Sequence, residues 1–127
     1  MAGKILICDD AEMNRESLKT ILVNDYDLIL LEDTKQIEDI IEAGKNIGLI
    51  FLNVKSNKTS EMKTISGLRQ THPALPIVSI VDPKAEELAL QTVQAGASGY
   101  ITKPFKGETI LSLARKHLTS GSNSNRT

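Results

Sequence analysis

The sequence predicts an α/β fold in which one parallel sheet is covered on both faces by helices. Short, nearly continuous apolar runs alternate with helix-period stretches along the chain, as strands buried on both faces and their covering helices require. A length of 127 residues with 40% hydrophobic content suits one compact domain with a continuous core, which excludes a two-domain enzyme. Two Tyr, two Phe and no Trp make that core aliphatic and leave no stacking platform for single-stranded nucleic acid.

The first strand is predicted at residues 4–8, where Ile5, Leu6, Ile7 and Cys8 form an apolar run closed by Asp9 and Asp10. That run is far short of a signal-peptide core or of the ~20 apolar residues of a membrane span, so a soluble, cytoplasmic protein is expected. Leu18, Ile21 and Leu22 mark the first helix, beginning near Met13, and a second strand follows at 27–31. Asp33 with Gln36 three residues later starts helix two, whose buried stripe is Ile37, Ile40 and Ile41 and whose stop is Gly44. Strand three, at 49–53, is apolar up to Asn53, and Met62, Ile65 and Leu68 give the helix after it. Strand four is at 77–81. Beyond it, Asp82 reads as an N-cap, Pro83 as the first helical residue, Glu86 and Glu87 as acids facing the positive helix end, and Gly96 as the stop. Leu88 and Val93 supply that helix's inner face. Strand five is at 100–102, and Ile110, Leu113, Ala114 and Leu118 close the series as helix five. The result is a (βα)5 domain over residues 3–119. Residues 120–127 contain nothing that anchors in a core and are expected to be a flexible tail or the start of a linker.

Charge and cysteine content narrow the function. Fifteen basic against 16 acidic residues leave a net charge of -1, which draws the chain neither to nucleic acid nor to a membrane surface. The lone Cys8 and the separated His72 and His117 form no disulfide and no ligand cluster, so a reducing compartment is expected. His72 is expected to be solvated, and His117 to favour the negative end of helix five.

In an open parallel sheet, ligands bind beyond the carboxyl ends of the strands, near the point where strand order reverses. Those ends carry Asp9 and Asp10, then Asn53 and Lys55, then Val81 and Asp82, then Lys103 and Pro104. Adjacent carboxylates repel and call for a cation, Mg2+ or a lysine, unless one of them only caps the first helix. Cys8 fails as a phosphatase nucleophile. The arginine needed six residues later is Asn14, and the two aspartates would repel phosphate and raise the thiol pKa. A haloacid-dehalogenase-like phosphotransfer enzyme would need a second late acidic pair, which Asp82 alone does not supply.

Cys8-Asp9-Asp10, the apolar third strand, and the run Gly99-Tyr100-Ile101-Thr102-Lys103-Pro104-Phe105 resemble the receiver domain of two-component response regulators, of the single-domain chemotaxis type. The resemblance spans about residues 4–118. It implies a flavodoxin-like sheet in the order 2-1-3-4-5 and a non-enzymatic signalling module. It also implies Mg2+ held by Asp9, Asp10 and the Lys55 backbone carbonyl, a phosphoryl contact from Lys103, a Lys103-Pro104 peptide that is usually cis, and a switch residue at Tyr100. Its expected partners are a histidine kinase or downstream effector on the helix-four, strand-five, helix-five face, with homodimerisation left open.

Three positions depart from the resemblance. The reactive aspartate at the end of strand three is Asn53, whose carboxamide is a poor nucleophile. The Ser/Thr hydroxyl at the end of strand four is Val81. The Met-Pro-x-x-Asp-Gly loop is replaced by Ser56-Asn57-Lys58-Thr59-Ser60-Glu61, although Arg69 keeps a basic residue at the end of helix three. These departures favour a pseudo-receiver that works by phosphorylation-independent contacts over a conventional receiver with an inactivating Asp-to-Asn change. With two carboxylates instead of three, Mg2+ binding is expected to be weak or lost. Lys55 either reaches Asp9 and Asp10 in its place or points to solvent, and Tyr100 is either a fixed strand residue or a rotating switch.

Overall fold

The computed structural model describes residues 3–58 and 60–119. The predicted tail at 120–127 lies outside them. Strands β1 (Lys4–Cys8), β2 (Leu28–Leu31), β3 (Ile47–Asn53), β4 (Ile77–Val81) and β5 (Gly99–Thr102) form one sheet in the order β2-β1-β3-β4-β5. Every neighbouring pair is parallel. Helices α1 (Glu12–Leu22), α2 (Ile37–Glu42), α3 (Ser60–Thr71), α4 (Glu86–Ala95) and α5 (Gly107–Ala114) alternate with the strands, so the predicted fold class and strand order are observed.

The period-2 alternation of strand side chains builds two cores. Ile5, Ile7, Leu49, Phe51, Val78 and Ile80 meet Leu18 and Leu22 of α1 and Ile110 and Ala114 of α5. Leu6, Cys8, Ile50, Leu52, Ile77 and Val81 meet Ile37, Ile65, Leu68 and Leu88 of the other three helices. Burial of strands on both faces is why their sequences read as continuous apolar runs.

Several boundaries differ from the sequence reading, each for a local reason. Strand β3 begins at Ile47 because Lys4 pairs with Ile47 while Ile5 pairs with Leu49, leaving Gly48 in a bulge. A Cβ at Gly48 would meet the end of the Leu118 side chain, so glycine lets that side chain pack against the bulge. Asp27 falls just before β2, although its carbonyl still accepts the Ile5 N–H at 2.9 Å. Strand β5 gains Gly99 through its pairing with Val78. A 3-10 turn, Thr34–Gln36, precedes α2, and the Asp33 side chain accepts the Lys35 N–H at 2.9 Å.

The predicted start of helix four at Pro83 is corrected. Asp82 Oδ1 accepts the Lys84 N–H at 2.8 Å and its carbonyl accepts the Ala85 N–H at 2.9 Å, so Asp82 closes a turn and the helix begins at Glu86. The inner face of α4 is Leu88, Ala89 and Thr92, and Val93 is exposed. After α5 the backbone widens into a π turn, Arg115–Thr119. It half-buries His117, and burial lowers the imidazole pKa, contrary to a charged residue at a helix end. His72 is likewise half-buried rather than solvated.

Candidate functional site

The strand order reverses between β1 and β3, because the chain places β2 on one side of β1 and β3 on the other. The crevice at their carboxyl ends is where an open α/β sheet binds ligands. Asp9, Asp10, Asn53, Lys55 and Lys103 all line this crevice, a cleft of about 430 Å³ whose walls also include Asn14 and Asp82.

Asp9 is held by backbone and helix. Its N–H donates to Leu31 O at 3.0 Å, its carbonyl accepts Arg15 Nη1 at 2.6 Å, and its Oδ1 accepts the Ala11 N–H at 2.9 Å. It is not the cap of α1, where Ala11 holds the capping position without a side-chain bond. The second carboxylate oxygen, Oδ2, is buried with no hydrogen-bond partner, and the residue is only 3% exposed. Asp10 lies at the rim, where its Oδ2 accepts a hydrogen bond from Lys55 Nζ. That bond holds the Asp10 carboxyl below the usual carboxylate range and raises the Lys55 ammonium above the usual lysine value. Lys55 therefore reaches Asp10 and does not simply point to solvent.

Asn53 ends β3 inside the cleft and is 6% exposed. Lys103 follows β5, its N–H donating to Val81 O at 3.1 Å, and the Lys103–Pro104 peptide is cis. Two of the singled-out residues do not join the cluster. Val81 is fully buried and packs into the core, and Tyr100 stands on β5, 38% exposed. Cys8 is buried, and burial, helped by the nearby Glu61 carboxylate, pushes its thiol up to about 12. It has no nucleophilic character at neutral pH.

Sequence reasoning missed two residues that shape the site. Arg15 reaches back from α1 to the Asp9 carbonyl and lies 3.9 Å from Glu32. Glu61, in the first turn of α3, carries a buried Oε1 with no partner. Neither carries a local signal, because each acts through an approach that only the packed helices create.

The family model of the response regulator receiver domain matches residues 5–115. The chain belongs to that family. Among related receivers, the response regulator MprA of Mycolicibacterium vanbaalenii is 30% identical over 116 residues, covering 91% of this chain and 50% of that protein. The chemotaxis protein CheY of Halobacterium salinarum is 25% identical over 122 residues, covering 94% of this chain and 100% of that protein. The crystal structure of the receiver domain of NtrX from Brucella abortus superposes with a TM-score of 0.80 at 24% identity, over 90% of this chain and 97% of that one. FleR of Pseudomonas aeruginosa and CpxR of Escherichia coli are longer, and the receiver spans 25% and 48% of them. Receivers are signalling modules of two-component systems. Among the described residues, no helix is long and apolar enough to cross a membrane.

Proposed function

We propose that this receiver is a degenerate one, whose output is set by protein contacts and not by phosphorylation of the β3 end. The observation that carries the reading is Asn53: this residue, which lines the same cleft as Lys103, bears a carboxamide where an acyl phosphate needs a carboxylate. Val81 supports it, since a buried valine at the end of β4 donates no hydrogen bond to a phosphoryl group.

The partner surface we assign is the face of α4, β5 and α5. Leu90 and Val93 on α4 are 55% and 40% exposed, and Tyr100 stands out from β5 beside a concavity of about 640 Å³ lined by α5 residues. A histidine kinase or a downstream effector is the class of partner expected there.

Intact mass after incubation with acetyl phosphate and Mg2+ tests the reading. The protein is expected to gain no phosphoryl adduct, and Asn53→Asp to gain one only slowly, because Val81 remains. A phosphoryl adduct on the unsubstituted protein at this cleft would overturn the proposal. Rapid, complete labelling of Asn53→Asp would instead identify a conventional receiver lacking a single group.

A further inference from the structure

We propose that the Lys55 ammonium is a resident counter-ion that takes the place of a divalent cation in this cleft, and that removing it opens a cation site. The site would be built from Asp9, Asp10 and the Asn53 carboxamide. The inference rests on the degenerate reading above and concerns only how the cleft balances its charge.

Two carboxylates on consecutive residues at a strand end repel each other and need compensation. The Asp10 half is compensated by Lys55, whose Nζ donates to Asp10 Oδ2. The Asp9 half is not: Oδ2 is buried and unpartnered on a residue 3% exposed that lines the same cleft. A buried carboxylate oxygen without a donor is a group that a bound cation satisfies. Lys103 is a second ammonium on the cleft wall and Asp82, whose Oδ1 accepts the Lys84 N–H, a third carboxylate, so Lys55 is one of two cations facing three acids.

With Lys55 in place, the donors do not suit Mg2+. One carboxylate is already engaged, the third oxygen ligand is a neutral amide, and an entering ion meets two ammonium groups. With Lys55 gone, Asp9, Asp10 and an amide oxygen, with Asp82 on the same wall, face one lysine, a hard-oxygen set of the kind that binds divalent cations. A unit charge a few ångström from a divalent ion alters affinity by about tenfold even with water-like screening.

The test is an amide NMR titration of the full chain with MgCl2 at constant ionic strength, with no phosphoryl donor present. Lys55→Met is expected to bind Mg2+ at least about tenfold more tightly than the unsubstituted protein, with shifts centred on Asp9, Asp10 and Asn53. Lys55→Arg, which keeps the charge, is expected to behave like the unsubstituted protein, and adding Asp10→Asn to Lys55→Met to abolish the gain. Lys55 and Asp10 side chains are about half exposed, at 54% and 51%, so these variants should fold, and a thermal melt checks that they do. Equal affinity in the unsubstituted protein and Lys55→Met, whether tight or absent in both, overturns the proposal. Because no phosphate enters, that failure is separate from any failure at Asn53, which phosphoryl labelling reads.

Discussion

At the scale of single residues, charge is settled by neighbours a few atoms away. The Lys55 hydrogen bond is the main cause of Asp10's lowered pKa, so Lys55→Met is expected to return the Asp10 carboxyl toward the ordinary range, read by its side-chain carbonyl carbon shift across a pH titration. Because the folded pKa of Asp10 lies below its unfolded value, the pairing contributes stability above the unfolded pKa and loses it as pH falls through the folded one. Lys55 is the mirror case: its folded pKa is raised, so its contribution is present below the unfolded pKa and is lost as pH rises through the folded one. Both side chains are half exposed, and the pKa, not the melting temperature, is the sensitive readout. Cys8 behaves differently. With its thiol pushed up to about 12 by burial, the folded state keeps a proton that the unfolded chain loses in alkali, so this group lowers stability as pH rises from the ordinary thiol range toward that value. Iodoacetamide is expected to label Cys8 only in denaturant; rapid labelling of the native protein, seen by mass, would contradict its burial.

Between elements, a few polar contacts fix how helices sit on the sheet. Ser79 is the one polar residue of β4, and its Oγ lies 2.7 Å from Thr92 Oγ1 of α4, with both residues fully buried. Thr92→Val leaves the Ser79 hydroxyl with only a 3.4 Å contact to Gly99 O and is expected to cost about 1–3 kcal/mol by urea unfolding. Adding Ser79→Ala should recover part of that loss, because both partners are then apolar. Arg69 plays the corresponding role for α3: its guanidinium donates to Gly96 O at 2.8 Å and to Pro73 O at 2.8 Å, joining α3 to the loops on either side of the β4–α4 unit. Arg69→Ala is expected to destabilise by about 2 kcal/mol, the range for hydrogen bonds made by a charged group. Gly96 is tied to the same contact. Its φ is +129°, and a Cβ there would lie 2.8 Å from Arg69 Cβ, so Gly96→Ala is expected to be destabilising as well. The sequence reading placed Gly96 correctly because a helix stop has a local signature. It misplaced the start of α4 because Asp82-Pro83 suits a turn as well as a cap, and only the hydrogen bonds to Lys84 and Ala85 separate the two.

Over the whole molecule, the fold was legible because the central strands β1, β3 and β4 are buried on both faces and the helices on one, which writes the architecture into hydrophobic period. The site was legible as far as strand ends are: Asp9, Asp10, Asn53, Lys55 and Lys103 do converge in one cleft. What the period does not encode is approach across the sheet, and so Arg15 against the Asp9 carbonyl and the buried Glu61 oxygen came only from the packed structure. The central claim is that a carboxamide at the end of β3 uncouples this receiver from phosphoryl chemistry. It is tested most directly by amide NMR of the unsubstituted protein with Mg2+ followed by beryllofluoride, a phosphoryl mimic. The account predicts no beryllofluoride-dependent shifts at Asn53, Val81 or Tyr100. Saturable shifts that spread from Asn53 to Tyr100 would show a working switch and contradict it.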